Sequence, residues 1–180
     1  MTLMIKIFCF IAIFLGTLQT GFSQKSKRLI KNLNELQYDS VKVFHFNCRS
    51  DVDLVKFGLL NDETVIDENQ TWAYTVSSTG EVISKNDIKN ICKALLNNDR
   101  QLGNDDPNGC YQPRMGIVFY NKDLANATID VCLECDSMKL RIFDSGKIKY
   151  YEMWGVLSAQ SEKYFTSLCL KYKLPCCSSN

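Results

Sequence analysis

The residues with the most chemical potential in this chain are sulfur ligands. Cys132 and Cys135 stand at C-x-x-C spacing, with Cys110 and Met115 a short way upstream. That spacing serves three chemistries. One is a thioredoxin-like dithiol, activated where a helix N-terminus stabilises the thiolate. Another is half of a zinc site, and the third, with the Met115 thioether, is a soft Cu(I) site. The surrounding pattern restrains all three. Thr128 to Cys135 alternates as a strand, which puts residues three apart on opposite faces and supplies no helix end to activate a thiol. Zinc lacks its second half, because the one histidine, His45, lies far away in a Val-Phe-His-Phe strand, where a lone imidazole reads as a packed residue. A metal set built from Cys110, Met115, Cys132 and Cys135 requires Met115 opposite Cys132 and a break of strand parity at Cys135.

Other chemistries have less support. Gly-x-Ser-x-Gly, His-Glu-x-x-His and Gly-rich phosphate loops are absent from the sequence. Nucleophilic, zinc-protease and nucleotide mechanisms therefore have no foothold, and no catalytic residue or cofactor is expected. Glu134 is a candidate general base, although on an alternating strand it reads as a solvated carboxylate. Tyr111, Tyr120, Tyr150, Tyr151 and Trp154 could line a binding face, but core packing is the expected role for most of them. The 21 basic and 20 acidic residues balance, so a nucleic acid is not an expected partner. Asn69-Gln-Thr71 and Asn126-Ala-Thr128 fit a glycosylation sequon that matters only in a eukaryotic secretory pathway.

The segment Cys110-Tyr-Gln-Pro-Arg-Met-Gly-Ile-Val-Phe-Tyr120, followed by Val131-Cys-Leu-Glu-Cys135, resembles the core of an uncharacterised family of exported bacterial proteins. In that family the pattern runs C-x-P-R-H-G-I-V-F-Y and then I-C-F-E-C. The likeness covers about 25 residues, with a looser one in the closing helix, and departs at Met115, where a histidine is common. It implies a bacterial, exported compartment and adds no mechanism.

The N-terminus gives the same compartment from its own residues. Lys6 precedes an apolar run from Ile7 to Leu15, and Gly21-Phe22-Ser23 suits a signal-peptidase site before Gln24. The run is far shorter than the roughly 20 residues that span a bilayer. Residues 1–23 are therefore expected to be a signal peptide, with a secreted or periplasmic product and no membrane span afterwards. Cys9 leaves with that segment, and eight of the nine cysteines remain: Cys48, Cys92, Cys110, Cys132, Cys135, Cys169, Cys176 and Cys177. In an oxidising compartment an even set is expected to pair, although eight cysteines allow 105 connectivities. If residues whose numbers sum to about 247 face each other in the central hairpin, Cys135 lies opposite Gln112 and Cys110 is two residues further along on the same side of the pleat, which makes Cys110 and Cys135 the expected pair. Cys132 then points to the other face, toward a helix presenting Cys92 or Cys169, while Cys176 and Cys177 pin the tail elsewhere.

The elements that position these residues follow from periodicity. Residues 24–38 read as a leading segment or linker with helical spacing at Leu29, Ile30, Leu33 and Leu36, and 39–180 as a single domain. Val41 to Cys48 and Thr71 to Val76 read as strands, and Ser84 with Asp87 as a capping box opening a helix over 85–97. Asn98 to Pro113 is the longest break. Strand pairs follow at 114–120 with 126–135 and at 139–143 with 147–151, and a last helix starts at the N-cap Ser158. Runs of strands flanked by helices predict an α+β fold: an antiparallel sheet, about two packed helices and a disulfide-bonded periphery. The expected role is non-catalytic binding to another protein or an envelope component. The alternative is a soft-metal or thiol-redox protein built on Cys110, Met115, Cys132 and Cys135.

Overall fold

The computed structural model describes residues 31, 33, 35–46, 64–67, 69–73, 75–77, 79–97, 102–103, 113–143 and 150–175. Its strands are β1 (Ser40–His45), β2 (Glu81–Val82), β3 (Leu102–Gly103), β4 (Met115–Asn121), β5 (Leu124–Cys132), β6 (Ser137–Phe143) and β7 (Tyr150–Val156). Two helices, α1 (Lys85–Asn97) and α2 (Ala159–Lys171), complete the set. The strands form one sheet in the order β2-β1-β4-β5-β6-β7-β3, with every pairing antiparallel. The architecture is α+β, as the alternation of the strands and the two helical repeats require.

One face of the sheet is apolar and is covered by both helices. Val41 and Val43, then Met115, Ile117 and Phe119, Ala127, Ile129 and Val131, and Met138, Leu140 and Ile142 form this face across four strands. Ile88, Ile91, Ala94 and Leu95 of α1 and Phe165, Leu168 and Cys169 of α2 pack on it. Spacings of three and four residues place each helical set on a single stripe. Each fully buried Ile, Leu, Phe or Met side chain contributes roughly 1.5–3 kcal/mol to this core. Leu33, in a helical turn ahead of β1, is 1% exposed and joins the same core. The segment expected to be a leader or linker therefore docks its C-terminal part on the domain.

The helices run antiparallel and are pinned at both ends. At the start of α1, Ser84 Oγ accepts from the Asp87 backbone N–H at 3.2 Å and donates to Asp87 Oδ2 at 2.6 Å, which is the expected capping box. The same carboxylate oxygen receives Tyr172 OH at 2.8 Å and the Lys171 ammonium, both from the end of α2. At the other end, Ser161 Oγ donates to the Ala94 carbonyl at 3.0 Å. Ser158 caps α2 by accepting from the Ser161 N–H, as its position ahead of the apolar repeat predicts.

Two expected strands shift. Trp72 and Val76 make only isolated bridges, to Ile66 and Phe46, so the described residues of 64–77 form an irregular cover instead of a strand. The central hairpin is tighter than expected: Asn121 pairs with Leu124, and Lys122 and Asp123 both have positive φ, 51° and 67°. Positive φ at both loop residues is the type I′ turn that matches strand twist. The Lys122 N–H donates to Asp39 Oδ2 at 2.8 Å, which steadies that turn.

Asp87 should dominate the helix pair. Burial raises its pKa, but the hydrogen bonds from Lys171, Ser84 and Tyr172 outweigh burial and hold it below 3.8. Its contribution is therefore full above about pH 4 and is lost as pH falls through the folded-state pKa. Replacing Asp87 with Ala should cost about 2 kcal/mol in urea denaturation. Lys171→Met should cost less, because that ammonium is half exposed and solvent screens it.

Candidate functional site

The opposite face of the central strands is where the sequence reading and the structure diverge most. Polar residues that alternate with the apolar set on β5 and β6 are buried: Thr128 and Asp130 are 0% exposed, Lys139 3% and Arg141 6%. The register brings them together: Asp130 lies opposite Lys139, and Thr128 opposite Arg141. Directly opposed side chains on one face of a sheet are within about 5.5 Å at Cβ, so the four form one patch. Glu152 of β7 holds the register position next to Arg141.

The cover over one flank comes from residues 64–77. Val65, Ile66, Phe44, Phe46, Val118 and Ala125 make a second apolar cluster on this face. Gly116, opposite Asp130, lets the cover approach: a Cβ there would sit 2.6 Å from Val65 Cβ. The Val65 N–H then donates to Asp130 Oδ1 at 3.0 Å, tying the cover to the sheet. A second tie joins Gln70 to Ala125 through two reciprocal side-chain to backbone bonds, 2.8 and 3.1 Å.

Burial pushes the Asp130 pKa up to about 6, against the opposing pull of Arg141, the Val65 and Thr64 hydrogen bonds and Lys139. Among the described residues, Thr128 Oγ1 has no hydrogen-bond partner. A buried carboxyl, two buried cations and an unpartnered hydroxyl on adjacent strands are costly to assemble in a core and mark a functional candidate. Hydropathy could not find it, because alternating polar residues on a strand ordinarily read as a solvated face. The one available signal was that Thr128, Asp130, Lys139 and Arg141 interrupt strands at the centre of the strand-rich region.

The sulfur residues are distributed differently from expectation. Met115 pairs with Val131 instead of Cys132, a slip of one residue that turns it to the helix-covered face. There its Sδ lies 4.0 Å from Cys169 Sγ. His45 pairs with Met115 at the end of β1, and burial lowers its pKa below 6.5. Cys132 and Cys135 form a separate buried cluster, away from Met115. The four-ligand set of Cys110, Met115, Cys132 and Cys135 is thus divided between the two faces at Met115. Among the described residues no group of three or more His, Cys, Asp and Glu could hold a metal.

β5 ends at Cys132, and residues 133–136 form the turn into β6, so the strand expected to reach Cys135 stops three residues early. The opposition of Cys132 and Cys135 inferred from strand alternation does not arise, because parity ends at the turn. Cys92, Cys132 and Cys135 are not halves of disulfides in this structure. No disulfide joins two described cysteines, although Cys169 is itself disulfide-bonded, and the expected disulfide-bonded periphery is not supported among the described residues. Cys48, Cys110, Cys176 and Cys177 lie outside the described residues, as do residues 1–30 with the expected signal peptide. Glu134 is exposed, as its alternating position suggested, and both of its oxygens accept from Arg114 Nη2, at 3.0 and 3.1 Å. The arginine of the first motif and the glutamate of the second therefore clasp the turn to the start of β4.

No family model, curated protein or solved structure matches this chain. The site is therefore read from its own geometry.

Because the folded-state pKa of Asp130 lies above the unfolded value, its contribution to stability is full below about pH 4 and is lost as pH rises through about 6. The expected result is a fall in urea-unfolding free energy across that window, in which Asp87 is already ionised. Asp130→Asn keeps an acceptor for Val65 and should flatten the fall; an unchanged slope in the variant would contradict the assignment.

Proposed function

We propose that this is an exported bacterial protein that works by binding, and that the polar patch on β5 and β6 receives an acidic group of an envelope component. The observation that carries the reading is the burial of Lys139 and Arg141 beside the Thr128 hydroxyl on the two central strands. Arginine offers a planar fork that matches a carboxylate, lysine adds a mobile point charge, and a hydroxyl fills a remaining lone-pair direction. Asp130 ties the cover at Val65 and balances part of the positive charge, which lowers the cost of burying the cations. At 3% and 6% exposure the two cations are closed off, and the ligand's acidic group enters by displacing part of the cover. Once inside it is desolvated, which strengthens its pairing.

The compartment rests on the Lys6 and Ile7–Leu15 pattern and on the family likeness around Cys110–Tyr120. None of the described helices is long and apolar enough to cross a membrane. Expression in a bacterial host should yield a periplasmic product beginning at Gln24, read by N-terminal sequencing. Retention of Met1 in the soluble fraction would count against export.

Thermal denaturation of the purified protein with acetate, succinate, citrate and an acidic cell-wall peptide as probes tests the site. A probe at about one hundred times its Kd stabilises by about 2.7 kcal/mol and should raise Tm by several degrees. Lys139→Met and Arg141→Met should each abolish that rise. The reading fails if no carboxylate probe moves Tm, or if both variants respond as the wild type does.

A further inference from the structure

We propose that Cys132 and Cys135 are a dithiol that closes to a disulfide across the β5–β6 turn when the protein meets a low-molecular-weight disulfide. This inference is independent of the ligand reading above. It rests first on the turn. Cys132 is the last residue of β5 and pairs with Ser137, the first of β6, so Cys135 lies in the connection between them. Residues three apart across a reverse turn have α-carbons within about 7 Å, and a disulfide ordinarily spans roughly 4.4–6.8 Å. The two side chains also form a buried cluster of their own, outside both apolar cores. Closure therefore asks for side-chain rotation and no movement of a strand.

The turn is held in that shape from several sides. Arg114 grips Glu134 between the two cysteines. Ser137 Oγ donates to the Cys135 carbonyl at 2.8 Å, and the Leu157 N–H donates to the Asp136 carbonyl at 2.6 Å. Asp136 takes φ 49°, the left-handed conformation that reverses the chain. Cys92 offers a contrast within the same molecule. It lies half-buried on α1 against the helix core, in another element from the pair, and burial raises its pKa.

The exchange balances with oxidised glutathione as the oxidant. Cys135, the more accessible at 9% against 0%, loses its proton and attacks one sulfur of glutathione disulfide, releasing the first glutathione thiolate. Cys132 then loses its proton and attacks Cys135 Sγ in the mixed disulfide, releasing the second. Two cysteine thiols are oxidised, one small disulfide is reduced to two thiols, and both protons pass to the departing thiolates.

The test is a thiol map of the full chain. The protein is reduced, freed of reductant, exposed to oxidised glutathione under native conditions, alkylated and digested with trypsin. Cys132 and Cys135 fall in one tryptic peptide, Asp123–Lys139. The expected product is that peptide without alkyl groups and lighter by two hydrogens than its reduced form. Its alkylatable thiol should disappear at least tenfold faster than that of Cys92. Full alkylation of both cysteines after prolonged oxidation, a lasting glutathione adduct on Cys135, or a cross-link from Cys135 to Cys110 would each overturn the proposal.

Discussion

Burial of β5 on both faces is the constraint on which the remaining structure depends. β5 is the fourth strand of seven, and its side chains alternate between Ala127, Ile129 and Val131 on one face and Thr128, Asp130 and Cys132 on the other. The apolar set needs a hydrophobic lid, which the two helices supply. The polar set needs partners, because an unsatisfied buried polar group costs about 1–3 kcal/mol and an unpaired charge more. Lys139 and Arg141 on the neighbouring strand and the Val65 N–H on the cover answer that need. The cover at residues 64–67, the glycine at 116 that admits it and the cations of β6 are consequences of one carboxyl placed at the centre of a sheet.

Much of the frame was legible in the residues. α1 occupies 85–97 as its capping box and spacing require, and Ser158 caps α2 as read. Antiparallel strands with two helices follow from the same periodicities. The candidate site was not legible, and the reason is physical: alternation reports which residues share a face and is silent on whether that face is wet. Thr128, Asp130, Lys139 and Arg141 satisfy the pattern of a solvated face while lying beneath other chain.

The sulfur chemistry shows a second limit. The expected pairing sum of 247 misses the observed Met115–Val131 pair by one, and one residue is enough to move Met115 from the cysteine pair to the helix core. A bulge between Phe119 and Tyr120 then shifts the register again toward the turn. The end of β5 mattered as much. Continuing the strand to Cys135 sets the two cysteines apart, whereas ending it at Cys132 brings them together, and the residues themselves, Val-Cys-Leu-Glu-Cys, contain no glycine or proline to announce the reversal.

The pins between α1 and α2 bear on how the chain assembles. Asp87 meets Lys171 and Tyr172, and Ala94 meets Ser161, across separations of 67 to 85 residues. The strands β4 to β6 that lie between are joined in sequence by short turns and pair with their immediate neighbours. Closing a long loop costs more chain entropy than closing a short one, and non-local contacts slow folding. The helix pair therefore works as a clasp whose two halves meet at the end of a long loop, and the strands between them supply the surface that holds the halves in place.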